Sequence, residues 1–478
     1  MKPDDFDVVI LGGGPAGERA AIRAARAGKS VALVERENVV GGTCINWGTI
    51  PSKTLRQSAE FVLSLTTNKI EGIRTEIAGR ITMADFMHHE RLVVQRELEL
   101  VNATLDRYAI RVFEGHGRLV DPHTVCVQDR GGVERHRLGA PVIVIATGSC
   151  PNHPPDVPFD GETVLDSTTI LRLPRMPSSM IVMGAGVIGV EYASIFAALG
   201  VKVTMVDTRE RLLPFLDREI VGILERELRR LGIEIIPQGH YMTIERVTGP
   251  HASVRCETRE GRRLTADVLL YCVGRDGNTR DLGLETVGIV PNQRGLIEVN
   301  EFYQTRHPHI YAVGDVIGYP ALASTSAEQG RQAIRHAFKL PGPKGRTEAL
   351  PFAIYTIPEL SYIGKTEEAL REGGAEYVVG RGRYDRNPRG QIMGDRAGIL
   401  KLLFEVPSLR LLGVHVIGSG ASELVHIGQA FLRSRADAYQ IAESLYNYPT
   451  LSDLYRHASF EGIAARNEKL GEAWPTPT

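Results

Sequence analysis

The sequence predicts an α/β chain with two βαβ units and an α+β domain at its C-terminal end. Three observations carry this. The chain has 478 residues, too many for one hydrophobic core and in line with about three domains. Near the N-terminus a short apolar run, a glycine turn, an Ala-rich helical stretch and a second apolar run ending in an acid follow one another, and the pattern recurs about 170 residues later. Beyond Pro341-Gly342-Pro343 alternating strands follow, among them Gly398 to Glu405 and Leu411 to Ile417, and then a helix from Ala421 to Ser434. Such an end domain can bury a sizeable subunit interface.

In the first unit residues 7–11 read as a buried parallel strand. Gly12-Gly13-Gly14-Pro15-Ala16-Gly17 follows, then a helix from Glu18 to Ala27, stopped by Gly28, and a strand from Val31 to Val34 with Glu35 at its end. This is the order of a dinucleotide fold. Gly12 serves the tight turn, Gly14 the approach of the pyrophosphate and Gly17 the packing of helix on sheet. The helix N-terminus offers unpaired N–H groups to phosphate, and Glu35 suits the adenosine ribose. The second unit has a strand at Ile181 to Met183, the turn Gly184-Ala185-Gly186-Val187-Ile188-Gly189, a helix over 190–199, a strand at Val203 to Val206 and Asp207 at its end. Two fingerprints imply two dinucleotides on one chain, and electron transfer between them.

Composition bounds the rest. Apolar residues make up 43% and charged residues 24%, and 56 basic against 57 acidic side chains leave a formal charge of -1. That balance gives no electrostatic reason to expect nucleic acid or an anionic membrane. The cysteines, Cys44, Cys126, Cys150, Cys256 and Cys272, are scattered and odd in number, which argues against a disulfide framework and for a reducing cytoplasm. No apolar run is long enough for a signal peptide or a membrane span. The histidines show no metal-ligand spacing, so no metal is expected.

Gly41-Gly42-Thr43-Cys44-Ile45-Asn46-Trp47-Gly48-Thr49-Ile50-Pro51-Ser52-Lys53 closely resembles the redox-active segment of the flavoprotein disulfide reductases. Ala146-Thr147-Gly148, Tyr311-Ala312-Val313-Gly314-Asp315 and Tyr355-Thr356-Ile357-Pro358-Glu359 resemble further motifs of that family, in the same order. The resemblance implies one non-covalent FAD per subunit, with Gly42, Thr43, Lys53, Thr147 and Gly148 at the cofactor and Asp315 on its ribityl chain. It implies an FAD-binding Rossmann-like domain at 1–150 and 277–350, an inserted NAD(P)-binding Rossmann-like domain at 151–276 and a dimerisation domain at 351–470. Residues 471–478 then form a mobile tail, and the active unit is a homodimer or a higher assembly of it. Leu269 to Arg275, which includes Gly274, reads as a strand returning to the FAD domain. The N-terminus of a helix over 324–338 is a candidate for contact with the cofactor.

Two departures bear on activity. The family cycles two cysteines five positions apart; here the first is Cys44 and the second position holds Thr49, whose hydroxyl cannot close a disulfide. Near the C-terminus Tyr448 stands where the family has its proton-managing His, and Asp453 where it has the partnering Glu; a phenol with a pKa of about 10 is a poor base at neutral pH. What remains can move hydride. In the family the lysine at the place of Lys53 lies near flavin N5 and pairs with a Glu two residues past the second glycine motif, here Glu191. The cation favours negative charge on the flavin, and the carboxylate holds the lysine and orients the nicotinamide. Val187 replaces the family's gating aromatic residue. The resemblance therefore implies hydride transfer between NADPH and NAD+ as substrates, without a dithiol. A quinone reductase or diaphorase, a disulfide reductase, a peroxidase working through Cys44 alone and a nucleotide-sensing dimer are the alternatives. Asp207 alone suits the ribose diol of NAD, whereas Arg209 and Arg211 suit a 2′-phosphate, so the second unit is expected to take both nucleotides in turn. The other four cysteines read as core or strand residues, and His426 as a surface or interface residue.

Overall fold

The computed structural model describes residues 4–67, 81–249, 252–342 and 350–472. Most of the expected mobile tail, 473–478, lies outside the described residues. Gly471, by contrast, caps the last helix in a left-handed conformation, and the Glu472 carboxylate pairs with Arg466. The chain divides into two compact units. One is built from Met1–Ser58, Glu76–Met176 and Leu270–Arg346, the other from Ala59–Thr75, Pro177–Leu269 and Thr347–Thr478.

The first unit centres on a parallel sheet. Its strands stand in the order Ile310–Ala312, Val142–Ile145, Val8–Leu11, Val31–Glu35, Arg111–Glu114, the order of a doubly wound dinucleotide fold without its sixth strand. Successive side chains of a strand face opposite ways, and both faces are covered here. Val8, Ile10, Val31 and Leu33 pack with Ala20, Ala24 and Ile334 of the flanking helices, while Val9, Leu11, Ala32 and Val34 pack with Leu119, Val125 and Leu138 of a meander. Burial on both sides is why these strands read as unbroken apolar runs.

The first helix runs Pro15–Ala25, three residues ahead of its expected start, because Gly14 serves as N-cap and Pro15 takes the first helical position. The second glycine helix likewise begins early, at Val187–Ala198, directly after Gly186. The expected strand from Leu269 to Arg275 is two strands. Val268–Tyr271 ends before Gly274 turns the chain at φ +85°, and Arg275–Gly277 then pairs antiparallel with Ser149–Pro151. These two connectors pair with each other, and residues 151–176 and 270–276 fall in the first compact unit.

The second unit contains a parallel sheet in which Ser179–Met183, Lys202–Val206 and Glu234–Ile236 are neighbours. It also contains an antiparallel sheet ordered Phe352–Ile354, Leu360–Gly364, Leu411–Ile417, Ile399–Glu405, Tyr377–Arg383. Helices Ala421–Ser434 and Leu454–Leu470 cover the latter through Val425, Tyr455 and Ala458. Lys401, fully buried, carries its ammonium into a group of three carboxylates, 2.8 Å from Asp217 and 3.0 Å from Glu219, with Glu367 also paired. This group is the one among the described residues with metal-ligand geometry, and a cation of the chain itself fills it. Burial opposes the charge on Lys401, yet the carboxylates hold its pKa above the ordinary value. No helix among the described residues is long and apolar enough to cross a membrane.

Candidate functional site

The first glycine turn lies beside a cavity of about 740 Å³, within the usual range of ligand pockets. It is built entirely from the first unit. Gly12, Gly14, Glu35, Gly42, Thr43, Cys44, Thr49, Thr147, Gly148 and Asp315 line it. Gly17 stands behind the turn, where an added Cβ would lie 1.9 Å from the Gly12 carbonyl oxygen, so helix and turn touch through bare backbone. Ala323 and Ser326, at the start of the helix Ala323–Ala337, also line the cavity.

Glu35 is buried, and its carboxylate accepts from the Gly13 N–H at 2.8 Å and the Glu37 N–H at 3.0 Å. Burial raises its pKa against those two bonds. Asp315 accepts from the Ser149 hydroxyl at 2.8 Å, and Arg275 donates to the same hydroxyl at 2.9 Å and to the Ser149 carbonyl at 2.7 Å. Asn278 donates to the Thr147 carbonyl at 2.9 Å, and Gln329 accepts from the Gly314 N–H at 2.7 Å. Sequence reading missed these four supporting side chains, Ser149, Arg275, Asn278 and Gln329. Ser149 adjoins Gly148, which is a weak signal, and nothing local announces the other three.

The cavity fits an FAD. The Thr147 hydroxyl is buried and has no hydrogen-bond partner among the described residues, which is costly unless a ligand supplies one. Gly14 and Gly42 meet so closely that a Cβ on Gly42 would come within 2.8 Å of the Gly14 Cα, leaving room there only for backbone beside a phosphate.

Cys44 and Thr49 are brought together. Both line the cavity, and burial raises the thiol pKa against the pull of the Thr49 hydroxyl and of the Lys53 charge. The thiol is therefore protonated at neutral pH and is a poor nucleophile. All five cysteines are free. Burial pushes Cys126 and Cys256 up to about 11, while Cys150 is a strand residue but an exposed one, at the cavity wall. Lys53 is on the helix Thr49–Thr67, one turn beyond Thr49, and its ammonium donates to the Ser52 hydroxyl at 3.1 Å.

In the second unit Gly184, Gly186 and Gly189 repeat the first turn. A Cβ on Gly189 would again lie 1.9 Å from the carbonyl oxygen of the turn's first glycine. Asp207 is 5% exposed, and its carboxylate accepts from the Ala185 N–H. Arg209 grips it with Nε at 2.8 Å and Nη2 at 2.7 Å. Burial alone would raise the Asp207 pKa; the bonds from Arg209 and Ala185 bring it below the ordinary value. Arg211 instead donates to the Pro214 carbonyl at 2.7 Å, away from the carboxylate. Glu191 is buried on the helix and accepts from the Tyr355 N–H at 2.8 Å. Tyr448 is 75% exposed on the single chain. Asp453 is buried and paired with Arg456 at 3.1 Å and His457 at 3.2 Å; His457, one helical turn on, was overlooked in the sequence. His426 is on an outer helix and hydrogen-bonds Gln429.

Residues 6–330 match the pyridine nucleotide-disulphide oxidoreductase family, and residues 350–459 match its dimerisation domain. Proteins called soluble pyridine nucleotide transhydrogenase, from Mycobacterium tuberculosis and Chromohalobacter salexigens, are 44% and 42% identical over 96% and 97% of this chain and 97% and 99% of their own. The crystal structure of LpdA from Mycobacterium tuberculosis has a TM-score of 0.88 and 27% identity, covering 95% of this chain and 98% of that one. The HOCl-induced flavoprotein disulfide reductase RclA from Escherichia coli has a TM-score of 0.84 and 29% identity, covering 95% and 99%. Matched over nearly its whole length, in motif order and in fold, this chain belongs to the pyridine nucleotide-disulphide oxidoreductases.

Proposed function

We propose that the protein transfers hydride from NADPH to NAD+ through a bound FAD, with no dithiol in the path, and that it works as a cytoplasmic homodimer. The observation that carries this is the Cys44–Thr49 pair. At the one place where the family needs a second thiol stands Thr49, whose hydroxyl cannot close a disulfide with Cys44, and both glycine turns are intact. The relatives named soluble pyridine nucleotide transhydrogenase point the same way. FAD, when bound, supplies a two-electron store that takes hydride from one nicotinamide and gives it to another.

The residues of the chain then do the following. Gly12, Gly14, Gly42, Thr43 and Glu35 seat the adenine half of FAD, with the helix at Pro15 facing its pyrophosphate. Thr147, Gly148 and Asp315 hold the other half, and Arg275 fixes Asp315 through Ser149. Lys53 places a positive charge near N5 where negative charge develops, and Glu191 orients the nicotinamide. Gly184, Gly186 and Gly189 seat the exchanging nucleotide, with Gly274 in the turn that leaves that domain. Asp207 and Arg209 form a pocket that adapts. NAD+ takes the carboxylate with its diol, and NADPH draws Arg209 off the carboxylate to its 2′-phosphate. Tyr448 and Asp453 belong to a segment that reaches the flavin site of a second copy. The exposed Leu445, Tyr448 and Phe460 suit burial in that interface.

Anaerobic reductive titration tests the absence of a dithiol. The flavin should bleach with two electrons per subunit, and uptake of four would reveal a hidden thiol pair and overturn the proposal.

A further inference from the structure

Glu191 is only 4% exposed, and a carboxylate at that depth keeps its place only if its bonds fix it. Two residues of the dimerisation domain supply bonds that converge on it. The Tyr355 N–H donates to the Glu191 carboxylate at 2.8 Å. The Ser194 hydroxyl, itself fully buried, donates to the Glu191 backbone carbonyl at 2.8 Å and accepts from the Ile357 N–H at 3.2 Å. Tyr355 and Ile357 are alternate residues just past the strand Phe352–Ile354, so their N–H groups can point the same way. Ser194 is one turn along the helix from Glu191. The same short segment therefore holds the side chain of Glu191 directly and its main chain through Ser194. Ordinary helix bonding asks for neither contact, and a serine bonding back to a carbonyl in its own helix slightly weakens it.

We propose that Ser194 is a positioning residue for hydride transfer, acting through Glu191, and that the Tyr355–Ile357 segment is the fixed point from which it acts. This rests on the reading of Glu191 given above. The segment leads into a five-stranded sheet with Leu360 and Ile363 buried, so the carboxylate is referenced to a rigid core and not to the helix alone. Misplacing a positioning group by an ångström can cost about a hundredfold in rate; loss of one of two tethers moves it less.

The test is a double-mutant cycle on the FAD-loaded dimer, Ser194→Ala against Glu191→Gln, read as the limiting rate of anaerobic flavin reduction by NADPH and as the long-wavelength absorbance of the nicotinamide–flavin complex. Ser194→Ala should slow reduction about tenfold and weaken that absorbance, with flavin content and dimer mass unchanged. In the Glu191→Gln background the same substitution should cost less than twofold, because residues acting as one unit are not additive. Ser194→Cys, close in volume and weaker in both hydrogen bonds, gives the same pattern at smaller amplitude should the alanine variant fold poorly. An unchanged rate, or an equal loss in both backgrounds, would overturn the positioning role. If Glu191→Gln alone left the rate unchanged, the reading of Glu191 itself would fall, a separate failure.

Discussion

The two glycine turns are nearly the same object built twice. Gly12 and Gly184 have φ +104° and +98°, and their N–H groups donate at 2.8 Å to Val34 and Val206. Gly14 and Gly186 cap their helices at φ −74° and −77°, and in each an acid at the end of the next strand accepts from the middle of the turn. They differ in what surrounds them. Gly14 has Gly42 against it, 3.7 Å from where its Cβ would be, and the turn opens into the cavity; no heavy atom among the described residues would come within 4 Å of a Cβ on Gly186. Glu35 is held by backbone alone, while Asp207 is gripped by a guanidinium. On the proposed reading, one backbone device serves a resident cofactor when walled in, and an exchanging substrate when left open with a paired charge beside it.

The largest effect expected separates the two seats. An alanine at Gly17 or Gly189 forces a Cβ into backbone, so neither turn can stay as it is. Gly17→Ala should yield protein without flavin. Gly189→Ala should keep a full flavin content by absorbance while NADPH reduces it at least about a hundredfold more slowly, a misplacement on the scale that costs such factors. Flavin loss in both variants would mean that the seats are not independent.

The next effect sharpens the charge difference. Arg209→Ala should weaken NADPH by about 1.5–3 kcal/mol, the scale of a hydrogen bond to a charged group, and leave NADH equal or tighter, since Asp207 is uncovered. Asp207→Ala should weaken NADH by a similar amount and NADPH less. Flavin-reduction titrations with each nucleotide measure both, and equal losses for the two nucleotides in either variant would refute the adaptable pocket.

The repeated turn was legible because strand, glycines and acid are consecutive, and the apolar runs record burial on two faces. Helix starts were misplaced by three residues because Pro15 and Val187 follow capping glycines and carry no helical periodicity of their own. The clasp of Arg209 on Asp207 was invisible: the sequence shows both charges but not that they face each other. Ser149, Arg275 and Asp315 are separated by 126 and 166 positions, and only the strand order and the pairing of the two connectors bring them together. Asp453 shows the same limit, since its partners His457 and Arg456 depend on where the last helix begins.

The smallest effect lies in stability against pH, where the two acids should act with opposite sign. Burial raises Glu35 above its ordinary 4.5, so its contribution to stability declines as pH rises from that value through the folded one. Asp207 is lowered below its ordinary 3.8, despite burial, by the bonds from Arg209 and Ala185; its contribution is full above that value and is lost as pH falls through the folded one. Unfolding midpoints of the apoprotein should therefore lose a decline above pH 4.5 in Glu35→Gln and a decline below pH 3.8 in Asp207→Asn. Shifts of the same sign in both would contradict the contrast.

The central claim is that hydride passes between the two nucleotide pools without a thiol. The direct measurement is oxidation of NADPH coupled to reduction of an NAD analogue with a distinguishable absorbance, run on the parent and on Cys44→Ser with quinone and disulfide acceptors alongside. Steady analogue reduction retained within tenfold in Cys44→Ser, and faster than turnover with either other acceptor, is the result expected. A thousandfold fall in Cys44→Ser with flavin and fold intact, or much faster turnover with quinone, would contradict it.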